Sequence, residues 1–137
     1  MKINKVAITS KFGSKESEKA ANGIVKKLLK LKSQVYTVAP ISVQGAKKID
    51  ALEELKKIKL DLVITLGGDG TTLRTFRNLE NETPVLAINA GGNRGILSEI
   101  SLDEFDKAIQ CIKKNQIWLD KRTRVVASCN GKQFQPA

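Results

Sequence analysis

Apolar positions along this chain follow two rhythms that alternate. Ile3 to Thr9 is a short apolar run that breaks at Lys11, Phe12, Gly13 and Ser14, the form of a strand opening into a turn. From Ser14 to Lys32 the period changes, because Ala20, Ala21, Ile24, Val25, Leu28 and Leu29 recur at three and four. That spacing predicts an amphipathic helix. Glu16 and Glu18 sit near the positive end of its dipole, and Lys26, Lys27, Lys30 and Lys32 near the negative end. Gln34 to Ala39 is rich in β-branched residues and closes at Pro40, so it reads as a second strand. Pro40 to Ile49 contains Gly45 and shows no clear period, the texture of a loop. Asp50 with Glu53 has the form of a capping box ahead of a short helix striped by Leu52, Leu55 and Ile58. Leu60 to Leu66 is nearly continuous in apolar residues, as in a strand covered on both faces. Leu73, Phe76 and Leu79 then mark one face of a third helix, and Pro84 opens a fourth strand through Val85 to Asn89. Ser101 with Glu104 caps a last helix, whose stripe is Phe105, Ala108, Ile109 and Ile112.

Strands alternating with helices call for an α/β fold: a Rossmann-like open, mostly parallel sheet with flanking helices, over residues 1–115. Beyond Gln116 the texture differs. Thr123 to Cys129 reads as a strand, and Asn130-Gly131 is a type I′ hairpin signal with only Lys132 to Ala137 left for the return. Residues 116–137 are therefore expected to be the truncated start of an all-β second domain.

Composition narrows the chemistry. The 137 residues, 41% hydrophobic, suffice for one buried core. The net charge of +10 suits a polyanionic partner. Histidine is absent, which excludes a Ser-His-Asp triad, a Cys-His pair and an imidazole zinc site. A general base must then be a carboxylate, a lysine or a tyrosine. Cys111 and Cys129, without CxxC spacing, read as buried reduced thiols of a cytosolic protein. The start MKINKVAITS lacks a signal-peptide core, and no apolar run approaches the roughly 20 residues that span a bilayer, so a cytoplasmic protein without a membrane partner is expected. Lysine pairs spread over separate helices and sparse aromatics argue against nucleic acid as the partner, although a basic α/β module binding it remains an alternative.

Two stretches carry the candidate chemistry. VITLGGDGTTLR, 63–74, sets Asp69 between glycines at the carboxyl end of an expected strand, where ligands of open parallel sheets gather. Gly67, Gly68 and Gly70 can take positive φ and have no Cβ, so phosphate oxygens can approach the main-chain amides. Thr71 or Thr72 is expected to begin a helix whose dipole favours the anion. Asp69 would repel a phosphate unless it binds a metal or takes a proton from the group being phosphorylated, as phosphoryl transfer requires. A tight turn with Asp69 capping the helix is the plainer alternative, and solvated charge the plainer one for Arg74 and Arg77. No GxxxxGK[ST] loop and no GxGxxG opening a helix is present. INAGGNRGILSE, 88–99, is a second glycine-rich turn in which Arg94 could face phosphate and Asn89 a ligand hydroxyl.

GGDGT at 67–71 followed by Leu73-Arg74, with PVLAINAGGNRGILSEI at 84–100, resembles the NAD kinase family. That family lies within the wider group that shares a GGDGT turn with diacylglycerol kinases and 6-phosphofructokinases. The resemblance implies phosphoryl transfer from ATP, or in some members polyphosphate, to the 2′-hydroxyl of the adenosine ribose of NAD, with a divalent metal such as Mg²⁺, giving NADP. Asp69 would be the proton acceptor, Gly68, Gly70 and Thr71 the phosphate cradle, and Gly70 and Arg74 would touch NAD, with Asn89, Gly95 and Ile96 also lining the nucleotide. No residue of this chain is assigned to hold the metal. Ile96 replaces the family's usual phenylalanine, and the family's Asn-Glu motif on its second domain is missing, so these residues alone are expected to fold but to turn over slowly or not at all. The full-length form is expected to be a homo-oligomer. A kinase of another GGDGT branch, acting on lipid or sugar phosphate, keeps the chemistry and changes the acceptor.

Overall fold

The computed structural model describes residues 1–79, 82–90, 95–124 and 127–133. Six parallel strands form the sheet: β1 (Lys5–Ser10), β2 (Gln34–Val38), β3 (Lys47–Ile49), β4 (Leu62–Leu66), β5 (Val85–Asn89) and β6 (Ile100–Ser101), in the order β3-β2-β1-β4-β5-β6. This is the 3-2-1-4-5-6 order of the doubly wound dinucleotide-binding fold, whose strand order reverses between β1 and β4. At that switch point the loops leaving neighbouring strands run in opposite directions and leave a crevice.

Residue alternation along the central strands gives each face its own core. Val6 and Ile8 of β1, with Leu62, Ile64 and Leu66 of β4, point to the face covered by α1 (Lys15–Lys30) and α3 (Phe105–Lys113). Ala7 and Val63 point the other way, into a second cluster with Tyr36, Val38, Ile49, Leu52, Leu55, Leu60 and Leu79. The near-continuous apolar run of β4 thus serves both layers.

Helix α1 starts where Ser14 accepts the Ser17 amide at 3.2 Å, and it buries Ala20, Ala21, Ile24, Val25 and Leu28. It stops at Lys30, two residues before the expected end, because Lys32 adopts a left-handed φ of 62° and the Ser33 amide turns back to the Leu28 carbonyl.

Four expectations need correction. Pro40 to Ile49 is not loop throughout, since Lys47–Ile49 adds to β2 as an edge strand. Its solvent-facing lysines hide the signal, as charged edge strands do. The turn after Asp50 is a 3-10 helix, Leu52–Lys57, and Glu54, not Glu53, reaches back to the Asp50 amide at 3.1 Å. Helix α2 (Asp69–Arg77) starts at Asp69, two or three residues earlier than expected, and lays Thr71, Thr72 and Thr75 on the sheet. Of its supposed apolar face, Leu73 is 40% exposed and Phe76 half-buried, while Leu79, just past the end of the helix, is buried as expected. Finally, the cysteines are free but not buried: Cys111 is half-buried and Cys129 exposed.

The Ser101–Glu104 box forms as expected, with the Ser101 hydroxyl 2.8 Å from Glu104 Oε1, and α3 buries Phe105, Ile109 and Ile112. Near the end of the chain, β7 (Ser128–Cys129) and β8 (Lys132–Gln133) pair antiparallel around Asn130 and Gly131, both at positive φ as a type I′ turn requires. The expected strand from Thr123 is shorter, with Thr123 and Arg124 irregular and 125–126 outside the described residues.

Candidate functional site

β4 and β5 are parallel neighbours, so the two glycine turns leave the same, carboxyl edge of the sheet. Gly67 is the glycine that the first turn requires. It has φ +152°, and a Cβ there would meet Thr71 Oγ1 at 2.8 Å. Gly68 and Gly70 are different from what flexibility alone predicts: neither has a positive φ, and a Cβ on either would enter open space. They leave room beside the first turn of α2, with Thr71 on its buried side.

Asp69 is the first residue of α2, after the N-cap Gly68, and is not itself the cap. Its carboxylate reaches instead to the second motif. Oδ1 accepts the Leu97 amide at 2.9 Å and Oδ2 the Ile96 amide at 3.1 Å. Two charge-assisted bonds therefore fix one half-buried carboxylate between residues 27 and 28 positions apart. Gly95 passes directly beneath it. The Ile96 side chain is 87% exposed and reaches no core.

Arg74, one turn further along α2, faces the other side of the switch point. Its guanidinium donates to the Ser10 carbonyl at 3.2 Å and lies 4.3 Å from the centroid of the Phe12 ring. Both line a cleft of about 640 Å³ with Val38, Pro40, Leu52 and Arg77. Arg77 is solvated, as its plain reading has it, whereas Arg74 is half-buried and engaged. Another hollow, of about 570 Å³, lies at the opposite edge against Lys59, Asp61 and Pro84, away from both turns.

The structure thus joins Asp69 with Gly95 and Ile96, and sets Gly68, Gly70 and Thr71 beside them. Arg74 opens on a separate flank. Asn89 ends β5, its backbone in register with Ser101 of β6. Arg94 lies outside the described residues. Sequence reasoning did not find the roles of Ser10 and Leu97, which act through main-chain atoms and leave no side-chain signature; Phe12 was visible only as an aromatic in a turn.

Fold and site together define a class: a doubly wound parallel-sheet domain whose carboxyl edge carries two glycine-bearing turns joined by a carboxylate. The chain belongs to the ATP-NAD kinase N-terminal domain family, whose sequence model matches residues 4–117. It is 44% identical over 84 residues to an NAD kinase of Caldicellulosiruptor bescii, covering 60% of this chain and 32% of that one. To an NAD kinase of Sulfurimonas denitrificans it is 36% identical over 106 residues, covering 74% and 37%. Yeast NADH kinase complexed with NADH superposes with a TM-score of 0.78 at 21% identity, covering 98% of this chain and 46% of that one. An Archaeoglobus fulgidus NAD kinase in complex with ATP gives 0.58 at 22% identity, covering 89% and 40%. At these identities the likeness is one of fold. The chain spans about a third of the length of the curated relatives it matches.

Proposed function

We propose that this chain supplies the reacting edge of an NAD kinase, which transfers a phosphoryl group from ATP, or from polyphosphate, to the 2′-hydroxyl of the adenosine ribose of NAD to give NADP. The observation that carries this reading is the Asp69 carboxylate, held between two turns at one sheet edge and flanked by glycines that front open space.

Phosphoryl transfer asks little covalent chemistry of a protein. It needs the donor and acceptor oxygens aligned, the charge of the equatorial oxygens met, and the acceptor proton removed late. Each carboxylate oxygen of Asp69 has one lone pair on an amide and another to spare, so it can accept the ribose hydroxyl without leaving its place. The space at Gly68 and Gly70 lets phosphate oxygens approach the amides that open α2, where the helix dipole favours them. Arg74 stands on the flank between β1 and β2, suited to contact with either nucleotide.

A divalent cation such as Mg²⁺ would add charge neutralisation at the phosphates. Among the described residues no group of three or more His, Cys, Asp or Glu side chains is placed to hold one. Mg²⁺ in phosphoryl-transfer sites is commonly held by one or two carboxylates with phosphates and water and needs no such group, and no step is assigned to it. Residues 116–137 belong, in this reading, to the start of an all-β region that completes the NAD grip and the assembly of protomers. A lipid or sugar-phosphate acceptor is the other reading, and the second motif that holds Asp69 favours NAD.

The test is ATP-dependent conversion of NAD to NADP by the full-length protein beside its Asp69→Ala variant. Loss of a general base should cost about 10²- to 10⁴-fold in turnover while ATP binding persists. Phosphorylation that survives the substitution, or a preference for diacylglycerol over NAD, would sink the reading. Residues 1–137 by themselves should bind nucleotide and turn over slowly or not at all.

A further inference from the structure

We propose that Gly95 is a positioning residue for Asp69: its missing side chain is what lets the Ile96 and Leu97 amides close on the carboxylate and set where it stands. This deepens the kinase reading and rests on it for its catalytic meaning.

Two observations separate this role from the usual ones of glycine. Gly95 shows no left-handed φ that would by itself demand glycine. The three atoms nearest to an added Cβ all belong to Asp69, at 2.3 Å for Oδ1, 2.6 Å for Cγ and 2.7 Å for Oδ2. No real Cβ tolerates such distances. Because the obstructing atoms are the end of a side chain, the response to a methyl group is local: χ1 of Asp69 rotates, the carboxylate leaves and the two amide bonds are lost. Gly70 is the contrast, being next to Asp69 in sequence with open space where its Cβ would be.

The consequence is a division of labour across the sheet edge. The first turn supplies the carboxyl group and the second fixes its direction, with the contact made by main-chain amides that, at Ile96 or Leu97, only proline would remove directly. A base misplaced by an ångström loses alignment with the acceptor hydroxyl, while phosphate contacts at Gly68 and Gly70 are untouched.

The experiment reads the ¹⁵N amides of Ile96 and Leu97 in the nucleotide-free protein, together with through-hydrogen-bond coupling to Asp69 ¹³Cγ. In wild type both amides should couple, and Asp69→Asn should shift them. Gly95→Ala should abolish the coupling with a retained fold, and adding Asp69→Asn in that background should shift them no further; Gly70→Ala should keep the coupling. Coupling that survives Gly95→Ala, or full additivity of the two substitutions, overturns the inference. In the assay for NAD phosphorylation by the full-length protein, Gly95→Ala should lower kcat tenfold or more with KM for ATP within twofold, and an unchanged kcat also overturns it. The amide readout involves no nucleotide, so a protein that never phosphorylates NAD ends the kinase reading while the contact is still decided.

Discussion

Arg74 combines two contacts that a lysine cannot reproduce together. Its plane stacks on Phe12 while one terminal nitrogen reaches the Ser10 carbonyl, so the arginine ties the second turn of α2 to the end of β1. Its Nε is buried with no partner among the described residues, beside the cleft that Phe12 and Arg77 also line. Arg74→Lys should keep the charge and lose the stack and the forked geometry. We expect a cost of about 1–2 kcal/mol, from the order of magnitude of a charged hydrogen bond and an exposed cation–π contact. Urea denaturation checks it, with a lower midpoint at unchanged slope. Phe12→Leu should lose less, since Phe12 is 60% exposed and only the ring contact goes.

At the scale of the element, α2 is unusual in what it lays on the sheet. Thr72 Oγ1 lies 3.0 Å from Thr65 Oγ1, and Thr75 Oγ1 2.9 Å from Thr9 Oγ1, both pairs buried. Thr72 also donates to the carbonyl of the N-cap Gly68 at 3.3 Å, one turn back and next to Asp69. Thr72→Val should strand the Thr65 hydroxyl and cost about 1–3 kcal/mol, whereas the double change Thr65→Val with Thr72→Val should recover most of it. Thermal or urea unfolding of the three variants decides this, and a double variant weaker than the single would refute the paired-hydroxyl account. The same seat explains where the sequence was legible. Periodic apolar stripes over Ala20 to Leu28 and over Phe105 to Ile112 marked α1 and α3 correctly, because large side chains must be buried. On α2 Leu73 and Phe76 of the expected stripe misled, although Leu79 beyond it is buried, because the facing strands present Ala7, Thr9, Val63 and Thr65, and small hydroxyl-bearing residues fit there better than leucine. Short β3 and β6 escaped notice for lack of length. Asp69 was legible from its glycines, but its partners were not, since an amide of residue 97 looks the same under any side chain.

Across the whole molecule, stability rests on two unequal layers around one sheet. The larger includes Phe105, 1% exposed, from α3 against β4, β5 and α1. Phe105→Ala should cost about 3–5 kcal/mol, a large share of the roughly 5–15 kcal/mol that holds a domain folded. A fall of several degrees or more in Tm is the expected reading. Asp106, next to it, makes an exposed ion pair with Lys27 of α1 at 3.0 Å. Asp106→Asn should change stability by less than about 1 kcal/mol and lose even that at high salt. The two neighbours thus calibrate burial against surface charge on one helix. Among the described residues no helix is long and apolar enough to cross a membrane, and the +10 charge is spread over several elements. The tie from Asp69 to Ile96 and Leu97 also orders events in time. As the chain emerges from a ribosome, the acidic group appears with nearly thirty residues still to be translated before its anchor exists. Until β5 has docked and the second turn has followed it out, the two amide bonds that hold the Asp69 carboxylate cannot form.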